Sequence, residues 1–254
     1  MIKQTVYECV AAQPLMGIPL VLINGWGVGE GSWQSLLPAL QTYSRVIVIN
    51  VTYESDADSL CEKIHQILPE QSVLIGWSLG GMLATKIAAS YPQSVSALVT
   101  LACNAQFVAN ATWQEAMEAA TFTAFYQALQ NNPAKTLTRF LSLVVLGDEQ
   151  QREQKRYLNT VDTLADRKDL LSGLDLLRDI NNQQAIAQST CPSLHLFGEN
   201  DQLVPVAAVN KIQRLNPQYQ CEIIQDASHL LHLPAERVLT VMAPFFNGFL
   251  KANR

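Results

Sequence analysis

The chain has 254 residues, of which 48% are apolar and 15% are charged, and its formal net charge is −5. The apolar fraction is sufficient for one large domain with a sizeable core, and the slightly acidic balance excludes the basic footprint expected of a nucleic-acid-binding protein. The five scattered cysteines include no C-x-x-C pair, so the sequence predicts neither a zinc site nor a disulfide framework.

We expect a cytoplasmic protein that does not span a membrane. The first residues, MIKQTVYECV, lack the long apolar stretch of a secretion signal. No apolar run approaches the roughly 18 residues of a transmembrane helix. The scattered cysteines agree with a reducing compartment, in which thiols stay reduced.

Short apolar runs alternate along the chain with segments of helical spacing. The predicted strands are 6–10, 18–23, 45–51, 72–76, 95–101, 193–197 and 219–224. The predicted helices are 56–68, 79–90, 206–215 and 234–251. Near-continuous apolar runs suit strands that are covered on both faces. The alternation therefore predicts an α/β fold with a mostly parallel central sheet flanked by helices.

One long segment interrupts this alternation. From about residue 108 to 185 the sequence has no strand pattern, and it is rich in Ala, Gln, Leu and Asn at helical spacing. We interpret residues 108–185 as a helical cap that is inserted between two parts of the core, 1–107 and 186–254. We expect this cap to cover the C-terminal edge of the sheet.

A serine flanked by glycines follows the fourth predicted strand. Residues 72–81 read SVLIGWSLGG, which places Ser78 between Gly76 and Gly80, directly before a predicted helix. A sharp strand–turn–helix strains the serine backbone and crowds its neighbours, and glycines remove the collisions. Such a turn presents the hydroxyl at a helix N-terminus, where developing negative charge is stabilised. Ser78 is therefore the predicted nucleophile.

A serine nucleophile needs a base, and the chain has four histidines. His65 precedes the serine on a predicted helix, and His195 lies within a predicted strand. His229 follows the last predicted strand, in a loop from which a base can reach over the sheet edge. His232 leads into the final helix. We favour His229 as the base and keep His232 as the alternative.

The base needs an acid that holds its tautomer. Asp201 lies in a loop directly after a predicted strand, within SLHLFGENDQLVP. The order Ser78, Asp201, His229 matches the nucleophile–acid–base order of hydrolases with this strand–helix alternation. Glu199 is the nearby alternative, and Asp226 is expected to be a turn residue.

An acyl-transfer site also needs donors for the negative oxygen of its intermediate. The loop INGWGVGEGSW follows the predicted strand 18–23, and its glycines allow backbone N–H groups to face inward. The predicted donors are the backbone N–H groups of Trp26 and of Leu79, the residue after the nucleophile.

Together these residues resemble the α/β-hydrolase superfamily and, within it, the pimeloyl-[acyl-carrier protein] methyl ester carboxylesterases of biotin synthesis. The second resemblance spans nearly the whole chain. One departure is Asn24-Gly25, where that family usually has His-Gly. The matching stretches are NGWG (24–27), GWSLGG (76–81), ALVTLA (97–102), TRFLSL (138–143), GENDQLVP (198–205) and ASH (227–229).

The resemblance implies hydrolysis of the methyl ester of a pimeloyl group carried by acyl-carrier protein, through an acyl-enzyme on Ser78, with no cofactor and no metal. It implies a catalytic triad of Ser78, Asp201 and His229 and an oxyanion hole from Trp26 and Leu79. Residues of the cap would line the acyl channel: Phe140, Leu141, Ser142, Leu143 and Val144.

The segment 131–157 carries five basic and three acidic side chains in an otherwise acidic chain. Lys135 and Arg139, and likewise Arg152 and Arg156, are spaced i,i+4, so each pair shares one helix face. A basic face at the cap would attract an acidic carrier protein. A solvated helix surface explains these charges equally well, and the resemblance favours carrier binding.

Two other functions stay open at this point. Another serine hydrolase of this fold would act on small free esters, lactones or C–C bonds. A non-catalytic ligand receptor on the same scaffold is less favoured, because a receptor needs neither the base nor the acid. Halide or epoxide chemistry usually requires an Asp at the nucleophile position of the strand–turn–helix, where this chain has Ser78.

Overall fold

The computed structural model describes residues 2–11, 15–163 and 166–252. In this part of the chain, seven strands form one sheet with the spatial order β1-β3-β2-β4-β5-β6-β7. The strands are β1 (Lys3–Tyr7), β2 (Leu20–Ile23), β3 (Val46–Asn50), β4 (Ser72–Trp77), β5 (Val95–Leu101), β6 (Ser193–Gly198) and β7 (Gln220–Ile224). β1 pairs antiparallel with β3, and the remaining neighbouring strands pair in parallel.

Helices fill the connections between the strands. A short 3-10 helix, Glu30–Trp33, follows β2. The helices are α1 (Leu37–Leu40), α2 (Ala57–His65), α3 (Leu79–Ser90), α4 (Ala119–Asn131), α5 (Pro133–Val144), α6 (Gln151–Leu158), α7 (Arg167–Asp179), α8 (Gln183–Gln188), α9 (Ala208–Leu215) and α10 (Ala235–Ala252). Over the described ranges, no helix is both long and apolar enough to cross a bilayer.

The inner strands are buried on both faces, as their near-continuous apolar sequences predict. Every residue of β2, β4 and β6 is buried, since helices cover both sides of a parallel sheet. Helix α3 is apolar around most of its circumference, because it packs on β4 and β5 and also contacts α2 and α8. The predicted α/β fold with a mostly parallel sheet is confirmed.

The first strand is the least accurate of the predicted elements. The pattern predicted a strand at 6–10, whereas β1 covers Lys3–Tyr7. β1 is an edge strand that pairs only with β3, and its side chains are exposed or half-buried. An edge strand therefore lacks the continuous apolar run that marked the inner strands.

Five helices, α4 to α8, lie between β5 and β6, where the sequence predicted a helical insertion. Helix α4 contacts α5 and α7, whereas α8 packs on α3 and α9. Helix α7 lies directly against the loop after β2. A Cβ added to Gly173 would stand 2.5 Å from Trp26 Cδ1 and 2.8 Å from Tyr53 Cδ2. The exact division into core and cap stays a prediction.

His195 lies within β6 and is buried. Its Nδ1 lies 2.6 Å from Thr100 Oγ1, and its ring stacks on Tyr219 with centroids 4.6 Å apart. Burial lowers the pKa of His195 to about 3, because the imidazolium would lose its hydration. His195 is therefore neutral in the folded protein.

We expect the stability of the protein to fall as the pH is lowered from 7 to 5. The unfolded chain protonates His195 near its ordinary pKa of 6.5, whereas the folded chain binds that proton only near pH 3. The stability that neutral His195 contributes is thus present above about pH 6.5 and is lost on acidification. We expect the free energy of unfolding to be lower by about 2 kcal/mol at pH 5.

Urea unfolding at both pH values checks this expectation. His195→Gln removes the titrating group, so the variant should lose about 2 kcal/mol less than the wild type between pH 7 and pH 5. Equal losses in the two proteins would contradict the assignment.

Candidate active site

Ser78 occupies a strained turn between β4 and α3. Its backbone angles are φ 55° and ψ −119°, a conformation that side-chain-bearing residues rarely adopt. The turn is held on both sides: Ser78 N–H donates to the carbonyl of Leu101 (2.9 Å), and Ser78 O accepts from Met82 N–H (3.1 Å). Strain of this kind persists only where the surrounding structure enforces it, and it is concentrated at functional sites.

The glycines beside the serine are required by close backbone approach. A Cβ on Gly80 would lie 2.1 Å from the carbonyl oxygen of Ile23, at the end of β2. A Cβ on Gly76 would lie 2.4 Å from the carbonyl oxygen of Gly80. Both distances are far below any van der Waals contact. The G-x-S-x-G pattern therefore allows the first turn of α3 to press against β2 and β4.

His229 and Asp201 form a buried hydrogen-bonded pair. His229 Nδ1 lies 2.7 Å from Asp201 Oδ2, and each side chain is 1% exposed. The other carboxylate oxygen, Oδ1, accepts from the backbone N–H groups of Leu203 (2.8 Å) and Val204 (3.0 Å). A carboxylate at Nδ1 favours the tautomer with the proton on that atom, so Nε2 is left as an acceptor. Nε2 has no hydrogen-bond partner among the described residues.

The loop that carries His229 is tied directly to the serine turn. The indole Nε1–H of Trp77, the residue before Ser78, donates to the carbonyl of His229 (2.9 Å). The rings of Trp77 and His229 are 5.8 Å apart. Because β4, β6 and β7 run in parallel, their C-terminal ends share one edge of the sheet. The three predicted triad residues follow these three strand ends.

The loop after β2 passes beside the serine. A Cβ on Gly25 would lie 3.1 Å from Trp77 Cε3 and 3.4 Å from Ser78 Cβ. Leu79 is the first residue of α3, so its N–H has no acceptor within the helix. The indole of Trp26 donates to the carbonyl of Leu170 in α7 (2.9 Å). The two predicted oxyanion donors thus belong to the two backbone segments that lie beside Ser78. Trp26 is in the loop after β2, and Leu79 is in the first turn of α3.

Asn24 fixes the loop after β2 through hydrogen bonds of its side-chain amide. Its Nδ2 donates to Asn50 Oδ1 (2.9 Å), and its Oδ1 accepts from the indole of Trp33. Asn50 Nδ2 in turn donates to Glu30 Oε2 (2.8 Å), on the far side of the same loop. The amide at position 24 therefore uses both its donor and its acceptor to fix the loop. The sequence showed the departure from His but not these partners.

The alternative base, His232, lies in a different environment. It is fully buried, and its Nε2–H donates to the carbonyl of Ser32 (2.9 Å). Its ring stacks on Trp33 at 4.7 Å and meets Trp77 edge-on at 5.0 Å. Burial lowers the pKa of His232 to about 4. A ring that donates to a carbonyl and lacks a carboxylate partner suits a packing role, which supports the preference for His229.

The alternative acids have other partners. Glu199 Oε2 accepts from the backbone N–H of Asp226 (3.0 Å). Asp226 has a positive φ of 54°, as expected of a turn residue. The carboxylate that is hydrogen-bonded to His229 belongs to Asp201. Over the described residues, no group of three or more His, Cys, Asp or Glu side chains is arranged to hold a metal ion.

A largely apolar cavity of about 570 Å³ lies among the inserted helices. Of the five predicted channel residues, Phe140 and Leu143 line this cavity, whereas Leu141, Ser142 and Val144 are not part of its wall. The ring of Phe140 meets that of Trp26 edge-on, with centroids 4.8 Å apart. The remaining wall comes from α4, α7 and neighbouring loops and includes Phe107, Met117, Phe125, Leu174, Leu177 and Leu203.

The four predicted carrier-binding residues divide into two groups. Lys135 and Arg139 lie one turn apart on α5 and line the cavity. Arg152 and Arg156 lie one turn apart on α6, and both side chains are exposed. The structure thus presents one pair at the cavity and the other pair on the next helix.

Comparison with known proteins agrees with this geometry. The model of the family described as alpha/beta hydrolase fold matches residues 18–236. A pimeloyl-[acyl-carrier protein] methyl ester esterase from Vibrio campbellii is 31% identical over 224 residues, which cover 84% of this chain and 88% of that protein.

A biotin biosynthesis bifunctional protein, BioHC, from Teredinibacter turnerae is 33% identical, and the match covers 98% of this chain. This chain spans about half of that relative's length, 47%. Among solved structures, an esterase from Exiguobacterium antarcticum superposes with a TM-score of 0.80 over 98% of this chain and 95% of that chain, at 16% identity. The strained serine turn, the parallel sheet and the family match lead to one conclusion: this chain belongs to the α/β-hydrolase fold family.

Proposed function

We propose that this chain is a serine carboxylesterase that removes the methyl ester from a pimeloyl group carried by acyl-carrier protein. The hydrogen-bonded pair of Asp201 and His229, beside the strained turn of Ser78, carries the catalytic part of this proposal. The substrate part rests on the names of the relatives and on the cavity with its two basic residues. A carrier-linked biosynthetic substrate also agrees with the expected cytoplasmic location.

The first half of the proposed reaction transfers the acyl group to the enzyme. Ser78 Oγ attacks the ester carbonyl carbon while its proton moves to Nε2 of His229. The backbone N–H groups of Trp26 and Leu79 stabilise the oxyanion of the tetrahedral intermediate. The intermediate collapses as the C–OCH₃ bond breaks, and the leaving methoxide takes the proton from His229. Methanol departs and the acyl group stays on Ser78.

The second half restores the enzyme. Water attacks the acyl-enzyme carbonyl and gives a proton to His229, and the same two N–H groups stabilise the second intermediate. Collapse breaks the bond to Ser78 Oγ, which regains its proton from His229. One ester and one water thus give one carboxylic acid and one methanol. Asp201 accepts from Nδ1–H throughout and stabilises the imidazolium that forms twice.

The inserted helices suit an acyl chain that enters from a carrier protein. A linear apolar chain fits a cavity lined by Phe140, Leu143 and other apolar side chains. The cavity wall does not include Ser78 or His229, and it adjoins the site through Phe140, whose ring packs on Trp26. Lys135 and Arg139 add positive charge to the wall of the same cavity, and Arg152 and Arg156 add exposed charge on α6. Acidic carriers are attracted by such a surface. An esterase for small free esters would need none of these four charges.

We expect Ser78→Ala and His229→Gln to abolish turnover while the fold is retained. Each change removes one member of the proposed proton relay, and triads lose roughly 10⁴-fold or more in kcat when a member is lost. His232→Gln should keep most of the activity, because a Gln amide can still donate to the carbonyl of Ser32. Steady-state hydrolysis of a short p-nitrophenyl ester measures all three variants.

Circular dichroism and thermal unfolding control for loss of structure in these variants. Wild-type hydrolysis by Ser78→Ala would exclude Ser78 as the nucleophile. If His232→Gln is inactive and His229→Gln is active, the two histidines have been assigned in the wrong order. A wild type that binds but never hydrolyses esters would favour the receptor alternative.

Arg139→Glu combined with Arg156→Glu should lower kcat/KM for a carrier-bound methyl ester. Long-range attraction raises the encounter rate with an acidic partner, so we expect a loss of at least about tenfold at low salt. Each exposed contact is individually weak and is screened by ions, so the loss should shrink as salt is added. Hydrolysis of a small uncharged ester should barely change.

Arg214→Glu combined with Lys251→Glu is the matched control. Both side chains are exposed, on α9 and α10, and neither lines the cavity, yet the pair changes the net charge by the same amount. Equal losses in the two double variants would attribute the effect to net charge alone. No loss in the first variant would leave these residues as a solvated surface and the substrate unassigned.

A further inference from the structure

Asp148, between α5 and α6, is a buried carboxylate at the centre of a hydrogen-bond cluster. Its side chain is 0% exposed, and its Oδ2 lies 2.9 Å from Nη1 of Arg237 in α10. The same oxygen accepts from the backbone N–H of Ser228 (3.0 Å) and from Gln154 Nε2 (2.8 Å). A buried carboxylate is stable only when it is paired and hydrogen-bonded, and these partners satisfy it.

Gln154, on α6, makes further contacts with the segment that carries His229. Its Nε2 lies 2.5 Å from the carbonyl oxygen of Leu233 and 3.4 Å from that of Leu230. Its Oε1 lies 3.2 Å from the hydroxyl of Ser228. Gln154 is fully buried, so solvent does not compete for these hydrogen bonds. The inserted segment thus contacts this loop immediately before and after His229.

The loop that carries His229 makes hydrogen bonds both to the core and to the inserted segment. On the core side, the indole of Trp77 donates to the carbonyl of His229, and Asp201 accepts from its ring. On the inserted side, Asp148 binds the preceding residue, Ser228, through both its N–H and its hydroxyl. The backbone of His229 therefore lies between an anchor at Trp77 and an anchor at Asp148.

We propose that Asp148 and Gln154 are positioning residues for His229, so that residues outside the core hold the base at its working distance from Ser78. This inference rests on the proposed esterase function. Neither side chain touches the reacting atoms. Both act through the loop 228–233, whose displacement by a fraction of an ångström would lengthen the proton transfer from Ser78.

Substitution at either position should slow the chemical step without weakening substrate binding. In Asp148→Asn, one acceptor oxygen becomes an NH₂ group that faces either the donors of Ser228 and Gln154 or those of Gln150 and Arg237. The remaining oxygen also loses its charge, so the contacts that hold the loop are weakened in either orientation. Gln154→Met keeps the length of the side chain and removes its hydrogen bonds. We expect kcat per active site to fall at least about tenfold in Asp148→Asn and about fivefold in Gln154→Met, with KM within about twofold.

The experiment counts active sites so that misfolding is not read as slow chemistry. A fluorophosphonate probe is reacted to completion: Ser78 Oγ bonds to phosphorus, fluoride leaves, and the serine proton passes to His229. The labelled fraction gives the number of competent sites, and hydrolysis of a short p-nitrophenyl ester is expressed per labelled site. Both variants should label fully but slowly.

Glu149→Gln is the matched control. Glu149 also pairs with Arg237, at 2.6 Å from Nη2, but its side chain is 58% exposed and is a neighbour of Asp148 in sequence. The control removes an ion pair of the same arginine and leaves the contacts to Ser228 intact, so its kcat should stay within about twofold of wild type.

The outcomes separate the inference from the function on which it rests. Wild-type kcat per labelled site in both variants, whether or not fewer sites are labelled, would overturn the positioning role and leave fold support alone. If Asp148→Asn does not fold, Gln154→Met decides by itself. A wild type that neither hydrolyses esters nor labels at Ser78 would overturn the proposed function, and this inference with it.

Discussion

The close approach of the first turn of α3 to the ends of β2 and β4 is the constraint on which the site depends. Gly80 lies so near the carbonyl of Ile23 that any side chain would collide with it. That contact goes with the sharp turn at Ser78. The turn sets the direction of the Ser78 hydroxyl and of the Leu79 N–H, which has no acceptor within the helix. One steric requirement thus helps to place both the proposed nucleophile and one proposed oxyanion donor.

Burial around this turn makes each polar contact specific. The ring of His232 packs on both Trp33 and Trp77, and Nε2 of His232 and the two indole nitrogens each donate to a backbone or amide oxygen. In such surroundings a polar group without a partner is costly. Within the described residues, three buried imidazole nitrogens have no hydrogen-bond partner: Nε2 of His229, Nδ1 of His232 and Nε2 of His195. Of these three rings, His229 is the one whose other nitrogen is paired with a carboxylate, which is the arrangement expected of the proposed base.

Much of the site followed from the sequence because chain order and local chemistry constrain it. The glycines around Ser78 marked the turn, and Asp201 and His229 followed successive apolar strands, so topology alone predicted a shared edge. The β1 position was wrong because the pairing with β3 begins at Lys3, in a polar stretch, whereas the apolar residues that suggested a strand extend to Val10. The fold, by contrast, followed from buried strands whose composition reports that both faces are covered.

The contacts across the insertion could not be read in the same way. Asp148 is one of the three acidic side chains counted in 131–157, and nothing in the neighbouring sequence marks it as buried. Its partners Ser228 and Arg237 are about 80 and 89 positions away, and no periodicity reports pairing over such separations. Asn24 was visible as a departure, but its bond to Asn50 depends on the register of β2 and β3.

The bonds between α6 and the loop 228–233 affect how this scaffold can be recombined. Inserted helical segments are natural units to exchange between relatives, since they enter and leave the core at two points. Here a transplanted segment would bring its own residues to positions 148 and 154 and meet a foreign loop. A working chimera would therefore have to carry residues 228–237 together with the helices. The residues that must be exchanged together thus come from two separate parts of the chain.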